Sequence, residues 1–240
     1  MSQKLVVVTG TSSGLGRATA QLLIAKDYKV VGVARRSVTA EDLSVDARSY
    51  QHIEFDLNET SNIPDLSSTI IKQHGKPYAL INNAAIGTDG LLPTMHNSDI
   101  EGILNLNILA PIILTKYLIR PMLEQRSGRI INISSIVAKT GYRGLSVYGA
   151  SKAAMEGFTH SLARDVGPRG ITVNCVAPGF VDTEMTESLG EENLERIKRR
   201  AALGRFPSST EIAAGIEYLL SPSAAGITGT TLTIDAGNTA

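Results

Sequence analysis

The 240-residue chain has no tryptophan, one cysteine and only 5% aromatic residues. A lone cysteine, Cys175, excludes an internal disulfide framework and offers no Cys/His metal pattern. It lies in an apolar stretch and is expected in the core. His52, His74, His96 and His160 have no ligand spacing among them, so surface or helix-cap roles are expected for all four. Charge of one sign is also missing. The 23 basic residues balance 23 acidic ones, which leaves no electrostatic case for nucleic acid or an anionic membrane. No apolar run is expected to reach membrane-spanning length, and neither a basic leader nor a cleavage site precedes the first one. A cytoplasmic protein is the expectation.

Short apolar runs alternating with helical stretches fill the chain. Strands are expected at Lys4–Thr9, Lys29–Ala34, His52–Phe55, Ala79–Asn82, Arg129–Ile133, Ile171–Ala177 and Thr231–Ile234. Helices are expected at about 14–26, 63–74, 98–125, 148–166 and 210–220, with Pro111 and Pro121 kinking or ending parts of the third. Short strands buried on both faces and alternating with helices predict an α/β fold. We expect one Rossmann-type domain, a doubly wound parallel sheet of about seven strands with helices on both faces. No repeat or linker divides it.

Between the first strand and first helix stands Thr9-Gly10-Thr11-Ser12-Ser13-Gly14-Leu15-Gly16. Glycines there allow a tight turn and let a pyrophosphate approach the free N–H groups of a helix start. Its Gly-x-x-x-Gly-x-Gly spacing differs from the Gly-x-Gly-x-x-Gly dinucleotide fingerprint. Gly10, Ser12, Ser13, Gly14, Leu15 and Gly16 are therefore candidate cofactor contacts. The end of the second strand distinguishes NAD from NADP, because an acid there holds the ribose 2′-hydroxyl and arginine accepts a 2′-phosphate. This chain has Ala34 followed by Arg35 and Arg36, with Arg17 as a further cation, and so predicts NADP(H). Asp56 and Leu57 after the third strand would meet the adenine, and Asn83, Ala84 and Ala85 after the fourth would pass under the adenosine ribose.

Tyr148 and Lys152 are four residues apart and fall on one helix face. A phenol with an ordinary pKa of about 10 is a poor acid–base catalyst at neutral pH. A fixed ammonium nearby is expected to pull that pKa downward. Ser135, thirteen residues earlier, can supply a hydroxyl to the oxygen on which the chemistry happens.

With these segments in order, the chain resembles the short-chain dehydrogenase/reductase family over essentially its whole length. The resemblance rests on Thr9–Gly16, Asn82-Asn83-Ala84, Asn107, Ser135, Tyr148, Lys152 and Pro178-Gly179 with Thr183. Ala85 departs from the family's glycine, and Asp235-Ala236-Gly237 from its more usual Asp-Gly-Gly. The resemblance implies Tyr148 as general acid/base, Lys152 lowering its pKa and holding the nicotinamide ribose, and Ser135 polarising the carbonyl, with Ser134 the weaker candidate. It further implies Asn107 holding a water in a proton relay from Lys152. Pro178, Gly179, Val181 and Thr183 would fix the nicotinamide end, and a lid would cover the substrate at about 183–206, including the charged run 191–200.

Within the family the chain is similar to 3-oxoacyl-acyl-carrier-protein reductases of fatty acid biosynthesis, through 170–180, Met185-Thr186, Leu203-Gly204-Arg205-Phe206 and Ile227-Thr228-Gly229. That similarity implies a homotetramer and an acidic carrier protein held by Arg126 and Arg169. Two alternatives are an NADP(H)-dependent dehydrogenase of a free secondary alcohol, sugar or steroid, and a non-catalytic NADP(H)-binding sensor.

Overall fold

The computed structural model describes residues 3–181 and 191–240. Seven strands form one parallel sheet: β1 (Leu5–Thr9), β2 (Lys29–Ala34), β3 (Tyr50–Glu54), β4 (Ala79–Asn82), β5 (Gly128–Ile133), β6 (Ile171–Pro178) and β7 (Thr231–Ile234). Their order is β3-β2-β1-β4-β5-β6-β7, and every pairing is parallel. The seven expected strands are all present. The third begins at Tyr50 rather than His52, because Tyr50 pairs with Val30 of β2.

Helices α1 (Gly14–Ala25), α2 (Ile63–His74), α3 (Asn97–Leu104), α4 (Ala110–Gln125), α5 (Val137–Thr140), α6 (Ser146–Val166), α7 (Glu191–Arg200) and α8 (Ser209–Leu220) complete the described residues. Alternate strand residues feed two cores, as the period of two requires. Val7, Val31, Leu80 and Ile130 pack with Leu66 of α2, Leu114 and Leu118 of α4 and Ala163 of α6. Val6, Val8, Ile81 and Ile131 face the other way, onto Leu23 of α1 and Ile212, Ile216 and Leu219 of α8.

The expected single helix over 98–125 is interrupted. A π-helical turn, Asn105–Leu109, separates α3 from α4 and contains Asn107. Pro111 falls in the first turn of α4, where no N–H is needed, and Pro121 is accommodated inside the helix. Over 97–125 the mean hydropathy reaches 1.6, enough by length and composition for a membrane span, contrary to the sequence expectation. Leu114, Leu118 and Met122 of this stretch are instead fully buried in the core.

The direction of winding reverses between β1 and β4. Parallel α/β sheets bind ligands outside the carboxyl ends of their strands at such a point. Every candidate residue of the glycine-rich turn, and Asn83, Ser135 and Pro178, follows or ends a strand at that edge.

Candidate active site

A cleft of about 1050 Å³ opens along this edge. It is long enough in its lining to hold a dinucleotide and a substrate together, running from Arg35 and Asp56 past the glycine-rich turn to Ser135, Tyr148 and Gly179. Among the predicted catalytic and cofactor-binding residues that the structure describes, only Asn107 does not line it. Thr183, Met185, Thr186 and the first part of the expected lid lie outside the described residues.

The cofactor end is built from backbone held by side chains. Gly10 has φ +75°, a conformation that disfavours other residues. A Cβ on Gly16 would stand 2.1 Å from the Gly10 carbonyl oxygen and 2.5 Å from Asn83 Nδ2. Only hydrogen fits there, so the turn closes tightly against the helix start. Thr9 Oγ1 accepts from the N–H groups of both Asn83 and Ala84 at 3.0 Å. Asn83 Nδ2 donates back to the Thr9 carbonyl at 2.9 Å. The ends of β1 and β4 are thereby locked together, leaving the Gly10–Gly16 backbone and the start of α1 open to the cleft. This cradle suits a pyrophosphate.

Arg36 Nη2 donates to Ser13 Oγ at 3.0 Å and Ser12 Oγ at 3.3 Å, placing a guanidinium beside the turn. Arg35 lines the same end of the cleft. Arg17 does not join them, because its guanidinium is bonded to the Asp42 carbonyl. Asp56 also lines the cleft, with Oδ1 accepting from the Asn58 backbone at 2.9 Å. A nucleotide carrying an extra phosphate therefore meets two arginines and no opposing acid at β2.

At the other end, Ser135 follows β5 while Tyr148 and Lys152 project from α6. Ser135 Oγ accepts from the Val137 N–H at 3.3 Å, and its hydroxyl is also hydrogen-bonded with Tyr148. Ser134 is excluded from the carbonyl-polarising role. It is buried, and its hydroxyl is given to Glu156 Oε1 at 3.0 Å and the Lys152 carbonyl at 3.3 Å. Lys152 is 4% exposed and donates to the Ile133 carbonyl at 2.9 Å. Its Nζ lies 5.6 Å from the centre of the Tyr148 ring.

The expected lowering of the Tyr148 pKa is not what this arrangement produces. Burial pushes the phenol up to about 12, and its hydrogen bond with Ser135 only partly offsets that. Burial likewise lowers Lys152 to about 8. Removal from water is the largest cause for both groups, and the Lys152 ammonium is turned toward the Ile133 carbonyl.

Asn107 stands behind the cleft lining. It is 3% exposed, and both amide hydrogens are committed, to the Ile86 carbonyl at 2.9 Å and Ser151 Oγ at 3.0 Å. Its oxygen accepts from the Ile86 N–H at 2.9 Å, and Ser151 in turn donates to the Tyr148 carbonyl at 2.7 Å. The side chain therefore braces the loop after β4 against the helix turn carrying Tyr148.

Arg126 and Arg169 do not border the cleft. They precede β5 and β6, at the amino ends of those strands, and a strand the length of β5 separates them from Ser135 by roughly 20 Å. Cys175 is buried as expected, at 3.1 Å from Thr159 Oγ1. His52 departs from expectation, being partly buried and bonded to Tyr50 at 3.0 Å. The sequence reading also missed an aromatic and apolar rim. The rings of Tyr142 and Phe180 are 5.3 Å apart, and those of Phe180 and Phe206 are 6.3 Å apart. Gly90 donates to the Gly144 carbonyl at 3.0 Å, bringing the loop of exposed Leu91 and Leu92 to the same side. Scattered in sequence, these residues carried no signal of convergence.

Residues 4–194 match the family described as short chain dehydrogenase. The chain is 37% identical over 235 residues to the 3-oxoacyl-[acyl-carrier-protein] reductase FabG of Salmonella typhimurium, covering 98% of this chain and 96% of that one. It is also 37% identical over 235 residues to carbonyl reductase family member 4 of Xenopus tropicalis, covering 98% and 97%. A solved structure of a putative NAD(P)-dependent gluconate 5-dehydrogenase from Beutenbergia cavernae, with bound NADP, superposes with a TM-score of 0.94. It is 28% identical and covers 99% of this chain and 97% of that one. A seven-stranded parallel sheet, a glycine cradle at its switch point and a Ser–Tyr–Lys constellation thus coincide with similarity over nearly the full length, and the chain belongs to the short-chain dehydrogenase/reductase family of oxidoreductases.

Proposed function

We propose that the protein uses NADPH to reduce a 3-oxoacyl thioester to the 3-hydroxyacyl thioester, with Tyr148 as the proton donor. The observation that carries this reading is full-length similarity to a 3-oxoacyl reductase together with a cleft that keeps Ser135, Tyr148 and Lys152 in one place. The exposed apolar loop at Leu91 and Leu92 adds a surface suited to an acyl chain.

NADPH, when bound, would supply the hydride for the carbonyl carbon. The protein supplies position and a proton. Ser135, hydrogen-bonded with Tyr148, turns its hydroxyl hydrogen to the carbonyl oxygen when substrate enters and fixes its direction. The Tyr148 phenol, protonated throughout the neutral range, gives its proton to the same oxygen as negative charge develops there. An alkoxide is a stronger base than the phenolate left behind, so a phenol raised to about 12 remains a competent acid. Lys152 keeps a positive charge beside that phenolate below pH 8. Asn107 holds the Tyr148 turn in register.

NADPH oxidation with acetoacetyl thioester, set against NADH in the same assay, tests the proposal. Turnover with NADPH is expected. Turnover only with a free ketone or secondary alcohol would select the second reading, which the likeness to a carbonyl reductase and a gluconate 5-dehydrogenase favours. Cofactor binding without turnover of any carbonyl would select a sensor.

Arg35→Asp and Arg36→Ala are each expected to lower the ratio of kcat/KM for NADPH over NADH by about tenfold, the value of one charge-assisted hydrogen bond. An unchanged ratio in both would remove the arginines from phosphate recognition. A homotetramer belongs to the same proposal, as does a carrier protein that is held by Arg126 and Arg169 and spans from these strand ends to the cleft at the opposite ends.

A further inference from the structure

Gly32 stands inside β2, a position where glycine ordinarily weakens a strand. A Cβ there would lie 2.3 Å from the Tyr50 hydroxyl and 2.6 Å from Thr11 Oγ1. The vacant volume is taken by a chain of polar contacts. Thr11 Oγ1 is 3.1 Å from the Tyr50 hydroxyl oxygen, which is 3.0 Å from His52 Nδ1. Tyr50 and His52 are two apart on β3, so both point to one face of the sheet. Thr11 is fully buried and does not line the cleft, whereas its neighbours Gly10 and Ser12 do. The chain therefore runs behind the glycine-rich turn, from its third residue to the edge strand, next to the β2 end that carries Arg36.

We infer that Thr11, Tyr50 and His52 are positioning residues that hold the glycine-rich turn in its cofactor-binding shape, and that protonation of His52 loosens this hold. The inference rests on the reading of the turn as a nucleotide cradle, not on the substrate. With Nδ1 unprotonated, Thr11 donates to Tyr50 and Tyr50 donates to His52, so the Tyr50 hydroxyl accepts once and donates once. A second proton on the ring makes Nδ1 a donor and reverses both bonds. The Thr11 hydrogen then points away from Tyr50 into a fully buried surrounding, which is costly for a polar group.

The charges around the ring set when this happens. Burial holds His52 below its ordinary value, while backbone groups of Arg36 and Ala34 and the carboxylate of Glu54 favour the proton. Asp42 acts on Tyr50 from the loop after β2, and Arg17 is bonded to the carbonyl of that same Asp42. The neutral ring is thus the working form near pH 7, and grip on the nucleotide falls as the solution is acidified.

Binding titrations of the full-length protein test this from about pH 8 to about pH 5.5, the range of a histidine. NADH is the main probe, because the 2′-phosphate of NADPH itself titrates near ~6. Tyr50→Phe is expected to weaken both nucleotides by about tenfold at neutral pH, raising the cofactor KM far more than it lowers kcat. Thr11→Ser retains the hydroxyl and is expected to retain the affinity. Wild-type affinity for NADH is expected to fall severalfold on acidification, and His52→Gln, which cannot titrate, is expected to show no such fall. Wild-type affinity in Tyr50→Phe, or an acid dependence unchanged in His52→Gln, would overturn the inference. Tighter NADPH binding in acid with NADH unaffected would also overturn it, by making His52 a charge for the phosphate instead of an anchor. A wild type that takes NADH and rejects NADPH would defeat the cofactor preference proposed above while the relay is still judged on NADH. Binding of neither nucleotide would defeat both.

Discussion

Replacing Tyr148 with phenylalanine is expected to lower kcat by about three orders of magnitude, the upper range of a general acid's contribution. The ring is kept, so the packing beside Lys152 survives and cofactor affinity should change by no more than about twofold. What disappears is the hydroxyl that meets Ser135 and can deliver a proton to a carbonyl oxygen between them. NADPH oxidation at saturating substrate, with a separate binding titration, distinguishes lost chemistry from lost binding. More than about a tenth of wild-type kcat would move the proton donor elsewhere. The pH dependence of the wild type adds an independent check. Tyr148 is pushed up to about 12, so it does not lose its proton anywhere in the neutral range. Reduction should instead weaken on the alkaline side near 8, where Lys152 sheds the charge that stabilises the nascent phenolate.

Much of this site was legible because its residues obey short-range rules. Tyr148 and Lys152 share a face of α6 by helical spacing, and the glycine-rich turn sits where a strand gives way to a helix. The alternation of strands and helices identified the sheet, since buried parallel strands are apolar on both sides. Helix interruption was less visible. A π-helical turn arises from one extra residue between hydrogen-bonded partners, and Asn105–Leu109 is as apolar as the helices it joins. Side-chain commitments were not visible at all. That Ser134 is spent on Glu156, that Asn107 is spent on Ile86 and Ser151, and that Arg17 turns to Asp42 are facts of tertiary contact. The Tyr148 pKa went in the unexpected direction for the same reason. Sequence spacing places a charge near a phenol but says nothing about how far water is removed from either. Arg126 and Arg169 show the limit of motif matching. Their order along the chain is compatible with a docking role, but only the strand direction reveals that they lie at the opposite edge from the cleft.

Lys152→Met is expected to abolish turnover, by at least about a hundredfold, and yet to make the protein more stable at neutral pH. Lys152 is 4% exposed, and its ammonium has the Ile133 carbonyl as a partner at 2.9 Å. Its pKa falls from 10.5 to about 8, so the folded state resists the charge that the unfolded chain accepts freely. That difference is worth about 3 kcal/mol against folding wherever the lysine is charged in both states. Methionine removes the charge and fills a similar volume, while the Ile133 carbonyl loses a donor at a cost of about 1 kcal/mol. The balance favours the variant by about 1–2 kcal/mol, a rise of a few degrees in Tm. The sign with pH is definite. Between pH 8 and 10.5 the folded lysine is neutral and the unfolded one still binds a proton, so wild-type stability climbs with pH through that window. The advantage of methionine should therefore shrink across the same window, as thermal unfolding of both proteins at several pH values would show. A structural lysine would give the reverse, a variant less stable at every pH. Stability gained together with activity lost is the mark of a charge kept buried for chemistry, and a destabilised Lys152→Met would mean that the ammonium helps hold α6 against β5.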